Sequence, residues 1–180
     1  MRTIVAVCGR KQSGKDTIGK ILIKRRGFKK YSFAAKLKEI ALDLFDIDIP
    51  ESHGAINEDE RKVLQMLAHK MRDINEDVWI DFVLKQIVHS EPEDAKIVIT
   101  DVRYPNELVR LRQFDGHIVL FRLKRKVDDD THASEALLET IPDEKFDEVL
   151  ENQDWSIEKF LDHANDLVEK YFPDERVKTL

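Results

Sequence analysis

One cysteine, Cys8, stands in the whole chain. No internal disulfide can form, so the fold must be held by burial and hydrogen bonding, as suits a reducing compartment. Cys8 ends an apolar run, and its expected role is packing, because an unpaired cysteine mostly behaves as a small buried hydrophobe. No apolar run is long enough to span a bilayer. The first residues lack the charged-then-apolar layout of a signal peptide. The expectation is a cytoplasmic protein with no membrane partner. An excess of positive charge is missing too: 30 Lys and Arg stand against 36 Asp and Glu, a formal net charge of −6. That balance argues against a sequence-blind nucleic-acid binder, which needs a basic surface. It leaves room for a small anionic ligand in a local basic pocket. Repeats, low-complexity tracts and interdomain linkers are absent as well. A length of 180 residues fits one domain with a small insertion.

The 42% of residues that are apolar fall into short, ordered groups. Residues 3–8 (TIVAVC) form a β-branched run ending at a glycine, which predicts a buried strand. Helical spacing of Ile18, Ile21 and Leu22 starts at Lys15 and stops at Gly27. The pattern next predicts a short strand at 31–33 (YSF), a helix over 34–46, and a loop over 47–57 marked by Pro50 and Gly54. Two helices follow, at 58–72 and 76–89, then a strand at 96–100 (KIVIT) and a helix opened by Pro105. Strands at 117–123 and 147–152 and a closing helix at 156–171 complete the chain. Strands alternating with helices imply a parallel sheet covered on both faces.

Between the first strand and first helix lies GRKQSGK, residues 9–15. Gly9, Gly14 and Lys15 match the glycine-rich phosphate loop G-x-x-x-x-G-K in its strand-to-helix context. Glycines at that spacing let several N–H groups converge on one anion, and the helix start adds its positive dipole end. Lys15 can reach the β- and γ-phosphates. The next position, where a hydroxyl on Mg²⁺ is common, holds Asp16, with Thr17 beside it. A carboxylate in the first helical turn favours the helix dipole; it could equally hold Mg²⁺, directly or through water.

A second cluster, TDVRYPNE, spans residues 100–107 at the end of the third strand. Asp101 stands where ligands bind in open parallel sheets and could orient a metal-bound water. Arg103 could clamp a phosphate bidentately.

These pieces resemble the deoxynucleoside monophosphate kinases of the phage type, within the P-loop kinase superfamily. The matching segments are GRKQSGKDT, FAAKLKE, RKVLQMLAHKMRDINEDVW, TDVRYPNE, DDDTHASE and DEVLENQDWSIEKFL, which together run along nearly the whole chain. SGKDT, DVRYPNE and HASE discriminate best, and Asp after the loop lysine is part of the family pattern. The resemblance implies an α/β fold: a P-loop NTPase three-layer α/β/α architecture with a five-stranded parallel sheet. It also implies a helical monophosphate-binding insertion at 57–90 and a lid region at 122–137.

The implied activity is transfer of the γ-phosphoryl of ATP to a deoxynucleoside 5′-monophosphate, with Mg²⁺. Gly9, Lys11, Ser13, Gly14, Lys15, Asp16, Thr17 and Asn152 would contact ATP, with Asn152 near the adenine. Lys38, Gln65, Arg72, Arg103, Asn106, Asp130, His132, Ser134 and Glu135 would contact the monophosphate. Lys15, Asp101, Arg103 and Arg125 would act on the transferring group, and Asp16 and Asp101 would hold the metal. Arg122, Lys124 and Lys126 would add positive charge there. No general base is implied, because the acceptor oxygen is already ionised. The expected partners are small-molecule nucleotides and, from the family, a second copy of the chain in a homodimer. Two other readings keep the loop: a P-loop kinase for phosphomevalonate or dephospho-coenzyme A, and an ATP-binding switch without an acceptor.

Overall fold

The computed structural model describes residues 1–48, 57–125 and 137–174. Met1–Tyr31 with Pro92–Leu180 form one compact unit, and Ser32–Glu91 form a second.

The first unit is built on five parallel strands: β1 (Thr3–Gly9), β2 (Lys29–Tyr31), β3 (Lys96–Val102), β4 (His117–Lys124) and β5 (Glu148–Glu151), in the order β2-β3-β1-β4-β5. The β-branched run of the first strand therefore takes the centre, with Val5 opposite Val98 on one side and Val119 on the other. Both faces of β1 are covered, and Ile4 through Cys8 are at most 1% exposed. This is why the strand reads as a continuous apolar run rather than an alternating one.

Alternate residues face opposite layers. Val5, Val7, Val119, Phe121 and Leu123 join Ile18 and Leu22 of α1 (Lys15–Arg26), and Phe160, Ala164, Leu167 and Val168, in one core cluster. The last four sit on the closing helix, Ile157–Tyr171, which becomes α6 in the order below. Helix α5 (Pro105–Arg112) packs on β4 through elements outside that cluster, with Leu108 and Leu111 buried. Each such fully buried aliphatic side chain contributes roughly 1.5–3 kcal/mol. The two faces together give the three-layer α/β/α fold expected for the chain.

The second unit contains α2 (Phe33–Phe45), α3 (Glu58–Ile74) and α4 (Val78–Ser90). The expected strand at 31–33 is displaced to Lys29–Tyr31. Ser32 instead caps α2, its Oγ accepting from Ala34 N at 3.2 Å, and Phe33 is buried in the first turn. Tyr31 keeps its place in the strand, and cap chemistry at the serine outweighs the strand preference of Phe33. Helix α3 opens with a capping box, Asn57 with Glu60, but buries no residue fully. Helix α4 begins two residues later than its spacing suggests and buries Trp79, Ile80, Val83, Leu84 and Ile87.

Candidate active site

The turn between β1 and α1 is shaped by its backbone. Gln12 lies at φ 62° and Gly14 at φ 101°, two positive-φ residues on either side of Ser13; turns of this kind are where successive N–H groups can converge on an anion. At Gly14 a side chain is excluded twice, by its φ and because a Cβ there would lie 2.3 Å from Phe160 Cζ. At Gly9 a Cβ would lie 2.6 Å from Leu123 O. The glycine spacing read in the sequence is thus set by close approach of β4 and α6 behind the loop.

Lys15, the first residue of α1, is buried at 8% exposure, and its Nζ donates to Arg10 O at 2.6 Å. The ammonium lies across the mouth of its own loop. Ser13 is fully buried, and its carbonyl accepts from Asn152 Nδ2 at 2.9 Å. The Gln12 carbonyl accepts from Arg125 at 3.3 Å. A cleft of about 360 Å³ runs along the loop from Lys15 past Arg125 and Asn152 to Trp155, Ile157 and Leu161. It combines polar residues of the loop with apolar ones at its far end, as small-molecule sites commonly do. Lys11, Asp16 and Thr17 stand on or beside the loop, with Lys11 and Asp16 exposed and Thr17 half-buried.

Asp16 is tied to the neighbouring strand, because Thr100 Oγ1 on β3 donates to its Oδ1 at 3.1 Å, with Lys30 Nζ 3.8 Å away. Its side chain remains half exposed. Among the described residues no three His, Cys, Asp or Glu side chains converge to hold a metal. A half-exposed carboxylate at a phosphate loop still fits Mg²⁺, which takes one or two carboxylates and fills its sphere with water and substrate phosphate oxygens.

Strand β3 pairs with β1, bringing Cys8 opposite Val102. Asp101 therefore ends beside the phosphate loop, half-buried, and Arg103 follows it exposed. Asn106 lies in the first turn of α5. The turn between them is organised by Glu107, which is 2% exposed and accepts from Arg103 N at 2.8 Å and Tyr104 N at 3.0 Å. Glu107 received no role from the sequence, although an acid at the third position of a helix is a capping signal. Burial pushes the Cys8 thiol well above its ordinary range, and the Glu107 carboxylate pushes the same way. Cys8 is therefore a packing residue, not a nucleophile.

The basic residues at the end of β4 divide. Arg125 is exposed and reaches the loop. Arg122 is buried and donates to Ile141 O, to Leu138 O at 3.0 Å and to Asp143 at 2.9 Å. Lys124 also pairs with Asp143. The hydrogen bond from Lys124 holds the Asp143 carboxyl below the ordinary carboxylate range, and the Lys124 and Arg122 charges add to it. Arg122 and Lys124 thus bind the segment that follows the strand. Alternation along a strand explains this for Arg122, which points away from the face that carries Phe121 and Leu123.

In the second unit, Lys38 lies half-buried on α2, and Gln65 and Arg72 lie on α3, the first exposed and the second half-buried. Arg72 Nη1 donates to Ala68 O at 3.3 Å, an oxygen that also accepts from Trp79 Nε1 at 3.3 Å. Asp130, His132, Ser134, Glu135 and Lys126, with most of the expected lid, lie outside the described residues.

A glycine-rich loop opening the first helix beside the central strand of a β2-β3-β1-β4-β5 parallel sheet defines the P-loop α/β/α fold. Solved structures agree on the fold. Dephospho-CoA kinase from Campylobacter jejuni superposes with a TM-score of 0.53 at 12% identity, over 95% of this chain and 98% of that one. Thymidylate kinase from Candida albicans gives 0.53 at 12% identity, over 93% and 91%. In sequence, a protein of Acanthamoeba polyphaga mimivirus, provisionally described as a deoxynucleotide monophosphate kinase, is 28% identical over 87% of this chain and 91% of its own length. The family model for deoxynucleotide monophosphate kinase matches residues 55–163, more than half of the chain. The chain belongs to the deoxynucleotide monophosphate kinase family. The matched span begins after the phosphate loop, so the loop stands on its own residues and geometry. Among the described residues, no helix is long and apolar enough to cross a membrane.

Proposed function

We propose that this chain transfers the γ-phosphoryl group of ATP to the 5′-phosphate of a deoxynucleoside monophosphate, giving ADP and a deoxynucleoside diphosphate. The observation that carries the reading is the pairing of β1 with β3, which puts the phosphate loop next to the strand end bearing Asp101 and Arg103.

Both reactants are anions, so the chain must first cancel their repulsion. The loop amides and Lys15 take the donor's β- and γ-phosphates, for which Lys15 must leave the Arg10 carbonyl it now meets. Arg103 and Asn106 take the acceptor's phosphate. Arg125 adds positive charge beside the transferring group. Asp16 and Asp101 are the residues that would hold Mg²⁺, which supplies charge cancellation on the phosphate oxygens when bound with the nucleotide. An acceptor phosphate oxygen needs no base to attack, and the transition state spreads charge over the equatorial oxygens of the phosphoryl group. Catalysis is then positioning plus fixed positive charge, and alignment of two bound reactants contributes roughly 7–11 kcal/mol in favourable intramolecular cases. The resemblance assigns Lys38, Gln65 and Arg72, with Asp130, His132, Ser134 and Glu135, to the acceptor nucleotide as well.

The test is coupled ADP release with dAMP, dCMP, dGMP, dTMP, their ribose forms, dephospho-coenzyme A and phosphomevalonate as acceptors. ADP release that requires a deoxynucleoside monophosphate is the expected result. ATP hydrolysis at one rate with and without any acceptor would sink the proposal.

A further inference from the structure

Asn152 follows β5, and its backbone N–H donates to Lys124 O at 3.0 Å. The residue is 3% exposed. Its side-chain nitrogen donates to the carbonyl of Ser13, 2.9 Å away and 139 positions earlier in the chain. The acceptor is a carbonyl, so the nitrogen end of the carboxamide must face the loop. The oxygen end, Oδ1, is buried too. With Oδ1 buried and Nδ2 bonded to the Ser13 carbonyl, the carboxamide is committed to the loop.

The peptide between Ser13 and Gly14 is trans. In a trans peptide the carbonyl and the following N–H point in opposite directions. With the Ser13 carbonyl held towards Asn152, the Gly14 N–H is turned to the other side, where it donates to no described residue. Gly14 is also the residue that caps α1 at its N-terminal end. The N–H groups of Lys15 and Asp16 follow it in the first turn of α1 and have no acceptor within the helix.

We infer that Asn152 is a positioning residue for the phosphate loop: it fixes the Ser13–Gly14 peptide so that Gly14 N–H faces the donor's polyphosphate. It gives Asn152 a role on the loop itself, where the resemblance implies a place near the adenine. It rests on the reading of the loop as the donor site. The same peptide is backed from α6 by the Phe160 ring against Gly14, so the carboxamide sets its rotation and the ring sets its depth.

The experiment compares the binding of ATP and of inorganic tripolyphosphate, both as magnesium complexes, to the wild type and to Asn152→Ala and Asn152→Leu. Removing the donor from a buried carbonyl should weaken both ligands by a similar factor, about tenfold, while the KM for the monophosphate acceptor is unchanged. Loss of ATP binding with tripolyphosphate binding retained means that Asn152 reads the nucleoside, and overturns the inference. Unchanged binding of both overturns it as well. A wild type that binds neither ligand overturns the donor-site reading itself, and the inference with it. Amide proton spectra of the wild type give a second measurement that needs no variant. Tripolyphosphate should move the Gly14 N–H resonance and leave the Asn152 carboxamide protons slow to exchange; a Gly14 resonance that stays in place overturns the inference.

Discussion

The phosphate loop and helix α3 are held by opposite means. The loop contains a positive-φ glutamine and a glycine pressed against an aromatic ring. It is fixed from behind by Asn152, Arg125 and Phe160, all more than 100 positions away in sequence. Helix α3 buries no residue fully. It relies on rules within one turn: the Asn57–Glu60 capping box and close ion pairs such as Glu58–Arg61, Asp59–Lys62 and Lys70–Asp73. The loop geometry is therefore set mainly by long-range contacts, while α3 adds to its local ones the Trp79 Nε1–Ala68 O bond from α4. Substitutions at the loop should act on catalysis or on the whole fold, and those on α3 should act in small, additive steps.

The largest effect is expected at Lys15. Lys15→Met should lower kcat by on the order of 10²–10³-fold, the loss typical of removing one preorganised charge-stabilising group. The thermal midpoint should stay near the wild type. Retained turnover would remove the loop from the chemistry.

Gly14→Ala tests the ring contact. It combines overpacking against Phe160 with a left-handed backbone, together about 2–4 kcal/mol of stability. Denaturant titration measures it, and an unshifted midpoint would mean that the loop is not held as described.

Arg103→Ala should raise KM for the monophosphate about tenfold, the loss of a charge-assisted hydrogen bond, with KM for ATP little changed. Equal rises for both would make Arg103 structural. On α3, Asn57→Ala should lower stability by about 1 kcal/mol through loss of the cap, with kcat unaffected.

The smallest effect separates two carboxylates. Hydrogen bonds from lysine lower both Asp143, next to β4, and Asp73, on α3. A carboxyl depressed in the folded state adds stability above its unfolded pKa, and that stability is lost as pH falls through the folded value. The gap between wild type and Asp143→Asn should thus be full at pH 7 and close below about pH 4. Asp73→Asn should show little gap at any pH, and none at high salt, because its ion pairs are exposed. Equal gaps for the two variants would erase the contrast between the regions.

Much of the first unit was legible in the sequence because its signals are short-range. The β-branched run at 3–8, the glycines at 9 and 14 and the proline at 105 each constrain the backbone where they stand. The exceptions share a cause. Ser32 and Phe33 read as strand by residue type, but a serine before an apolar helical face is also a cap, and helix packing settled the choice. The partners of Arg122 and Lys124 were not legible, because nothing local shows that Asp143 and the carbonyls of Leu138 and Ile141 lie within reach. Thr100 was passed over because its partner, Asp16, lies 84 positions away, whereas Glu107 bonds to Arg103 N and Tyr104 N within its own turn and was legible as a capping acid.

Sequence alone determined that a glycine-rich loop of the phosphate-binding pattern would join the first strand to the first helix, since only glycine spacing, a lysine and a strand-to-helix switch are needed for that. Which carbonyls of the loop are held, and so which amides face inward, was decided in three dimensions. Asn152 and Phe160 reach the loop only once β4, β5 and α6 have packed around β1, and a contact spanning some 140 positions leaves no periodic trace in the chain.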